Sequence, residues 1–270
     1  MIKQAICVLT VVFLLGGCVS RQGLSEQIAK AIRENPQIVL QAMRENSIDV
    51  LEIVEKGVNE REKARRKEKF ESAIKNPYTP DIKDRVFLGK PEATVTVVEY
   101  SDFLCPYCSK GAKVVRKLVA EHPEKYKLVF KHLPLHKNSR ELAAVFEAVA
   151  MIDTELAYKF HDMAFEKQKE LYQDKDGKVL GQIISELKID PQKLQQNLES
   201  PVITQRLVKD GREAEKFGLD ATPTFLINGV PVLGYLPADR FDATVDMILE
   251  KSSGADQDDG EVCEDCLNKI

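Results

Sequence analysis

Two cysteines separated by two residues, Cys105 and Cys108, are the side chains of this sequence best suited to chemistry. Pro106 and Tyr107 lie between them, and the pair follows a β-branched segment and precedes an amphipathic one. Unpaired N–H groups and partial positive charge at a helix N-terminus favour a thiolate over a thiol. The spacing therefore predicts that Cys105 is the nucleophile and that Cys108, one helical turn away, resolves the mixed disulfide.

Half of a zinc site and an inert structural disulfide are two other uses of such a pair. A zinc site needs two further ligands, and the next cysteine along the chain is Cys263. A stabilising disulfide gains more by closing a long loop than by joining near neighbours in sequence. Disulfide exchange is therefore the favoured interpretation, and we expect no metal and no cofactor at this site.

The first eighteen residues predict export and lipid attachment. Lys3 precedes an apolar stretch from Ala5 to Leu15, which two glycines and Cys18 follow. This stretch is typical of a signal peptide and is short for a bilayer-spanning helix. Its end resembles a bacterial lipobox, in which the cysteine becomes the lipidated first residue. We expect removal of residues 1–17 and a membrane anchor on Cys18, an ordinary signal peptide with a chance cysteine being the alternative.

The composition indicates a globular domain with attachments. The chain has 270 residues, 43% of them hydrophobic, and a net charge of −4, which disfavours both a wholly disordered chain and a nucleic-acid-binding protein. Residues 252–270 are acidic and rich in Ser, Gly and Asp, which predicts a disordered tail, yet they contain Cys263 and Cys266. That pair could exchange disulfides with Cys105 and Cys108, bind Cu(I), or close on itself.

Residues 18–77 predict a helical stalk and linker. An apolar stripe at helical spacing extends from Leu24 to Val58, and Asn35-Pro36 marks a point where a helix begins again. A helix with one apolar face cannot bury that face alone. We therefore expect a homo-oligomer formed through residues 19–75, with docking on the core of the same chain as the alternative.

Residues 78–251 predict an α/β domain. Strand patterns occupy residues 85–88, 94–100, 127–132, 224–227 and 230–233, and helical patterns occupy 106–121, 139–217 and 237–251. The order of strand, helix, strand, a long helical block, a hairpin and a closing helix predicts a mixed sheet with helices on its faces.

Three separated segments resemble the DsbA-like thioredoxin-fold proteins. They are VVEYSDFLCPYC at residues 97–108, KHLPLH at 131–136 and ATPTFLING at 221–229. The resemblance covers roughly residues 80–250 and implies a thioredoxin-like fold in which residues 139–217 form the family's helical insertion. The stalk is similar to the N-terminal segments of the ScsC and Com1-type members.

The resemblance also implies where a substrate binds. Pro223 matches the cis-proline that lies against the active-site disulfide and presents backbone to a substrate strand. Thr222 precedes it, and Pro106 and Tyr107 complete the predicted substrate-binding residues.

A proton acceptor is implied as well. Glu99 matches the buried acid that takes the proton of Cys108, and a buried carboxylate has a raised pKa. Lys131 aligns with a basic residue that pairs with this acid, which makes it a candidate proton relay. His132 and His136 are interpreted as packed or loop residues rather than catalysts.

The implied function is that of an envelope thiol:disulfide oxidoreductase that acts on protein substrates and has a membrane redox partner. Tyr107 replaces the histidine of the strongly oxidising DsbA type, and Thr222 is shared with isomerase members. Both features favour an isomerase or reductase, and a DsbA-type dithiol oxidase is the alternative. A non-enzymatic lipoprotein that binds copper or a partner protein is the alternative of another class.

Overall fold

The computed structural model describes residues 21–254, so the predicted signal peptide, Cys18, Cys263 and Cys266 lie outside the described residues. The chain divides into two compact units between Arg61 and Glu62. Among the described residues, no helix is both long enough and apolar enough to cross a bilayer.

Helices make up the described part of the first unit. Helix α1 covers Arg21–Glu34, α2 covers Gln37–Glu45, and α3 covers Ser47–Lys75 and continues into the second unit. Pro36 directly precedes α2 at its N-cap, and its ring fixes φ at −60°, a value that the helix also has. The large apolar side chains here are exposed: Leu24, Ile28, Ile32, Ile38, Val39, Leu40, Met43, Ile48, Leu51, Ile53, Val54 and Val58.

The second unit begins inside α3 and not at the predicted linker near residue 77. Phe70 is 3% exposed, and Ala73 and Ile74 pack against the same core of the second unit. Phe70 is the one aromatic residue between positions 19 and 77, and burial of its ring accounts for the earlier boundary.

A five-stranded sheet forms the centre of the second unit. Its strands are β1 (Phe87–Leu88), β2 (Val95–Ser101), β3 (Tyr126–His132), β4 (Thr224–Ile227) and β5 (Val230–Leu233), in the order β1-β3-β2-β4-β5. Strands β2 and β3 are parallel, and the other neighbours are antiparallel. Parallel neighbours need a crossover, which here is helix α4 (Pro106–Glu121).

A helical block separates β3 from β4. Its helices are α5 (Ser139–Ala150), α6 (Thr154–Glu166), α7 (Gln168–Gln173), α8 (Lys178–Glu186), α9 (Pro191–Leu198) and α10 (Pro201–Lys216). The closing helix α11 covers Ala238–Ser252. This mixed sheet with a helical insertion confirms the predicted α/β class.

The two faces of the sheet carry different cores. Val97 and Phe130 belong to the larger cluster, whereas Val98 and Tyr100 belong to the smaller one. Because side chains alternate along a strand, Glu99 lies on the face of Val97. This alternation decides which polar groups can meet below the cysteines.

Candidate active site

Cys105 and Cys108 lie where β2 leads into α4. Cys105 is the N-cap of α4, Pro106 occupies the first helical position, and the amide of Cys108 donates to the Cys105 carbonyl at 3.0 Å. Proline there supplies the φ angle that the first turn needs and removes an N–H that would have no helical partner. Cys105 is 7% exposed and Cys108 is fully buried. A second protein can therefore reach Cys105 first.

The two thiols have opposite acidities. A hydrogen bond from Cys108 lowers the pKa of Cys105 to about 5, against the effect of burial, with further hydrogen bonds from Thr222 and from the Cys108 amide. Burial raises the pKa of Cys108 far above its usual range, and the neighbouring Cys105 and Glu99 raise it further. Near neutral pH, Cys105 is therefore a thiolate and Cys108 a thiol.

The loop before β4 faces Cys105 directly. The Thr222–Pro223 peptide bond is cis, as the resemblance implies, and the carbonyl oxygen of Thr222 lies 3.4 Å from Cys105 Sγ. The amide of Gly234 donates to the carbonyl of Pro223 at 2.7 Å. A Cβ on Gly111 of α4 would come within 2.8 Å of Phe225 Cζ and 3.4 Å of Pro223 Cγ, so glycine permits this close approach.

Glu99 is fully buried on the same face of the sheet as the larger core. Burial raises the pKa of its carboxyl to about 8, which a hydrogen bond from Ser101 partly opposes. That bond joins Ser101 Oγ to Glu99 Oε1 at 2.7 Å, and Glu99 Oε2 has no partner among the described residues. With this pKa, Glu99 can hold or release a proton near neutral pH.

Lys131 does not pair with Glu99, and this sequence-based expectation is wrong. Its ammonium pairs with Glu213 and lies 3.4 Å from Asp210, with the Tyr100 ring 5.4 Å away. The parallel register sets Lys131 beside Tyr100 and Phe130 beside Glu99. Lys131 and Glu99 therefore point to opposite faces of the sheet.

Asp102 fixes the loop between β2 and α4, a role the sequence analysis did not find. Its buried carboxylate accepts five hydrogen bonds, from the amides of Leu104, Leu135 and His136, the ring of His136 and the hydroxyl of Ser139. Burial raises the pKa of Asp102, but these bonds outweigh that effect and lower it. The bond to Leu104, two residues on, is the Asx-turn pattern that could have indicated this role.

Gln168 supports the same loop from the helical insertion. Its Nε2 donates to the carbonyl of Phe103 at 2.8 Å and to the carbonyl of Cys105 at 2.9 Å. No local pattern marks this residue, because its partners lie far away along the chain.

The two histidines of the 131–136 segment make structural contacts. His132 is buried with its Nε2 3.0 Å from Glu147 Oε1, and Nδ1 of His136 lies 2.9 Å from Asp102 Oδ2. This agrees with their interpretation as packed and loop residues.

Tyr107 forms part of the surface around Cys105. Its side chain is exposed, and the ammonium of Lys110 lies 5.4 Å from the Tyr107 ring and 5.9 Å from the Tyr235 ring. These aromatic and cationic groups are open to a partner molecule.

Most of the second unit matches a known protein family. The family model described as Thioredoxin matches residues 81–247. The chain belongs to the thioredoxin family. Disulfide bond formation protein D of Bacillus subtilis is 31% identical over 177 residues, which cover 63% of this chain and 80% of that protein. Na⁺/H⁺ antiporters named NhaA also match, but over only 22–27% of their length.

Solved structures of thioredoxin-family proteins agree with the fold. Oxidised BdbD of Bacillus subtilis, at 29% identity and a TM-score of 0.57, covers 64% of this chain and 97% of its own. A linker-deletion variant of Proteus mirabilis ScsC, at 16% identity and a TM-score of 0.53, covers 88% and 98%. The thioredoxin-like fold with its helical insertion is thereby confirmed. The chain is a thiol–disulfide oxidoreductase of the DsbA and thioredoxin type.

Proposed function

We propose that this chain exchanges disulfides with protein substrates in the bacterial cell envelope, with Cys105 as the nucleophile and Cys108 as the resolving cysteine. The observation that carries the proposal is the pairing of a reachable thiol, whose pKa is lowered to about 5, with a buried thiol whose pKa is raised. Such a division of labour suits sequential attack and resolution.

The reaction has two exchange steps. A substrate thiolate attacks Cys105 of the Cys105–Cys108 disulfide, forms a mixed disulfide, and displaces Cys108 as a thiolate that takes up a proton. A second substrate thiolate then attacks the substrate sulfur of the mixed disulfide and releases Cys105 as a thiolate. The substrate loses two electrons, which the Cys105–Cys108 pair gains, and the reverse sequence reduces a substrate.

Five residues around the two cysteines serve these steps, namely Glu99, Thr222, Pro223, Pro106 and Tyr107. Glu99 holds the proton that Cys108 takes up or gives away. The Thr222–Pro223 segment and the exposed Tyr107 line the approach to Cys105, and Pro106 sets the first turn of α4. A substrate segment binds across these residues beside Cys105.

Two observations favour oxidation of substrates as the physiological direction. A low pKa of the nucleophilic thiol stabilises the reduced pair and makes the disulfide a stronger oxidant. The similar Bacillus subtilis protein is named for disulfide bond formation. A reduction potential between about −120 and −180 mV would support an oxidase, and one near −270 mV would contradict it.

Disulfide isomerisation is the second candidate, and the exposed apolar side chains of the first unit favour it. They suit an oligomer, and the isomerase members that this chain resembles in Thr222 are commonly oligomeric. An isomerase would reactivate a substrate with scrambled disulfides, whereas an oxidase would act only on the reduced substrate.

The site of action and the tail complete the proposal. We propose lipid attachment at Cys18, which the N-terminal sequence supports. We also propose that the Cys105–Cys108 disulfide oxidises the Cys263 and Cys266 thiols. Eight residues lie between Gly254 and Cys263, and the nine Cα–Cα steps that join the two can span about 30 Å when extended. Copper bound to the reduced tail would indicate the non-enzymatic alternative.

Substitution of the nucleophile tests the central proposal. Cys105→Ser should abolish oxidation of a reduced, unfolded protein, because no other residue can replace its thiolate at the N-terminus of α4. A variant lacking Cys263 and Cys266 should keep this activity. Full exchange by Cys105→Ser would contradict the proposal.

A further inference from the structure

Ser101 lies between the two groups whose proton exchange the proposed reaction requires. Its Oγ donates to Glu99 Oε1 at 2.7 Å, and the amide of the next residue, Asp102, donates to Cys108 Sγ at 3.4 Å. The Ser101 hydroxyl also lowers the pKa of the Cys108 thiol, against the effect of burial. All three residues are buried, with at most 2% exposure. The Ser101 hydroxyl therefore lies between the carboxyl group of Glu99 and the sulfur of Cys108.

The strand and the loop explain this arrangement. Glu99 and Ser101 are two residues apart on β2, so both side chains point to the same face of the sheet. The chain turns at Asp102, whose amide donates to Cys108 Sγ at 3.4 Å. This bond holds the sulfur against the end of β2, next to Ser101.

Within the described residues, Ser101 is the only hydrogen-bond partner of the Glu99 carboxylate. Glu99 Oε1 accepts from Ser101, Oε2 has no partner, and no direct hydrogen bond joins Glu99 to Cys108. A hydroxyl donates one proton while it accepts another. Ser101 is therefore the protein group through which a proton can move between Cys108 and Glu99.

We propose that Ser101 relays the proton between Cys108 and Glu99 during disulfide exchange, an inference that rests on the function proposed above. When Cys108 leaves as a thiolate, it takes the hydroxyl proton of Ser101, and Ser101 takes the carboxyl proton of Glu99. The net change is a Cys108 thiol and a Glu99 carboxylate, with the Ser101 hydroxyl restored. When Cys108 attacks a mixed disulfide, the proton moves in the opposite direction.

The neighbouring titratable groups leave Glu99 to dominate the pH dependence of this step. Cys105 has no titratable proton while it is bonded in the mixed disulfide. Burial raises the pKa of Tyr158 on α6 far above its usual range, and hydrogen bonds lower the pKa of Asp102 against the effect of burial. Between about pH 6 and pH 9, Tyr158 and Asp102 keep their charge while Glu99 titrates.

The experiment follows the step in which Cys108 acts. The reduced full-length protein is mixed with oxidised glutathione, quenched in acid, and the mixed disulfide on Cys105 is measured by mass. Ser101→Ala should slow the release of glutathione about 100-fold near pH 7, so that the mixed disulfide accumulates. The rate at which this variant releases glutathione should rise steadily with pH. Its pH profile should no longer show the change of slope with an apparent pKa near 8. The first step, attack by Cys105, should keep its rate.

Two further variants separate the relay from a packing effect. Ser101→Thr keeps the hydroxyl and should retain most of the release rate. Ser109→Ala removes a hydroxyl next to Cys108 that instead donates to the Phe165 carbonyl at 3.3 Å, and it should behave as the parent protein.

Three results bear on the proposals differently. An unchanged release rate and pH profile in Ser101→Ala would overturn the relay, as would an equal loss in Ser101→Thr and Ser101→Ala. A parent protein that forms no mixed disulfide at Cys105 would instead overturn the proposed function.

Discussion

At the scale of single residues, the reactivity of Cys105 depends on a neighbouring thiol and on its place at a helix N-terminus. The hydrogen bond from Cys108 is the largest contribution to its low pKa, and the amides of the first turn of α4 add to it. The same proximity raises the pKa of Cys108. The asymmetry between the two sulfurs is thus a property of the pair.

Removal of Cys108 tests this asymmetry. In Cys108→Ala, the pKa of Cys105 should rise from about 5 toward the ordinary thiol value of about 8.5, because its main hydrogen-bond donor is lost. The pH dependence of alkylation by iodoacetamide measures this pKa. Ser109→Ala should leave it near 5. An unchanged pKa in Cys108→Ala would show that the helix N-terminus alone activates Cys105.

Glu99 should give the reduced protein a characteristic pH dependence of stability. Its pKa is raised from 4.5 to about 8 in the folded state, so folding becomes less favourable as the pH rises through this window. Glu99→Gln lacks this effect. The free energy of unfolding of Glu99→Gln, relative to the parent, should therefore increase by up to about 1.4 kcal/mol per pH unit between these values.

Denaturant titrations of the reduced proteins at several pH values measure that difference. Below pH 4.5 and above pH 8 the difference should be constant, because the protonation of Glu99 is then equal in the folded and unfolded states. A difference that does not change between pH 5 and about pH 8 would show that Glu99 has an ordinary pKa in the fold.

At the scale of elements, the site depends on the close approach of helix α4 to the Pro223 loop. Gly111→Ala should destabilise the protein by about 1–3 kcal/mol, because the added methyl group meets Phe225 at 2.8 Å. Gly181→Ala in α8 is the matched control. It meets no atom within 4 Å, and it should stabilise the protein by up to about 1 kcal/mol.

Thermal or denaturant unfolding of both variants tests this packing, and the exchange rate reports on the loop. Gly111→Ala should also slow exchange, because it displaces the segment that faces Cys105. Equal stability changes in the two variants would contradict the close approach.

Local patterns predict the elements well, because each signal lies within the element itself. The β-branched segment of β2, proline at the start of α4 and the Asn228-Gly229 turn between β4 and β5 all act within a few residues. The cysteine spacing predicts the redox pair for the same reason. Spacing and local propensity are thus enough to place Cys105 and Cys108.

The rest of the site needs the tertiary structure. Gln168 reaches Cys105 across the helical insertion, and the face on which Lys131 lies depends on the register between β2 and β3. The position of Cys108 Sγ at the end of β2, beside Ser101, requires the turn at Asp102, whose amide donates to that sulfur. None of these distances follows from a pattern in the sequence.

At the scale of the whole molecule, the exposed apolar side chains of the first unit suit a second copy of this chain. Leu51, Val54 and Val58 recur at helical spacing along α3, where each is exposed. The double variant Leu51→Glu and Val58→Glu should therefore convert an oligomer into a monomer, as measured by sedimentation of the protein without its lipid anchor.

Ile53→Glu is the control for this prediction. Ile53 is exposed on α3 but lies about 200° around the helix from Leu51, so its charge should leave the oligomer intact. Monomers for the parent protein would show that the apolar face serves another purpose. Dissociation by Ile53→Glu alone would show that the interface is not the Leu51–Val58 face.

Capture of the mixed disulfide tests the central claim most directly. Cys108→Ala cannot resolve a mixed disulfide, so the variant, once its Cys105 is activated as a mixed disulfide with a small thiol, should react with a reduced unfolded protein and retain it. Peptide mass analysis should find the substrate cysteine bonded to Cys105. Attachment to Cys263 or Cys266 alone, or no attachment while the parent protein still oxidises the substrate, would contradict the account.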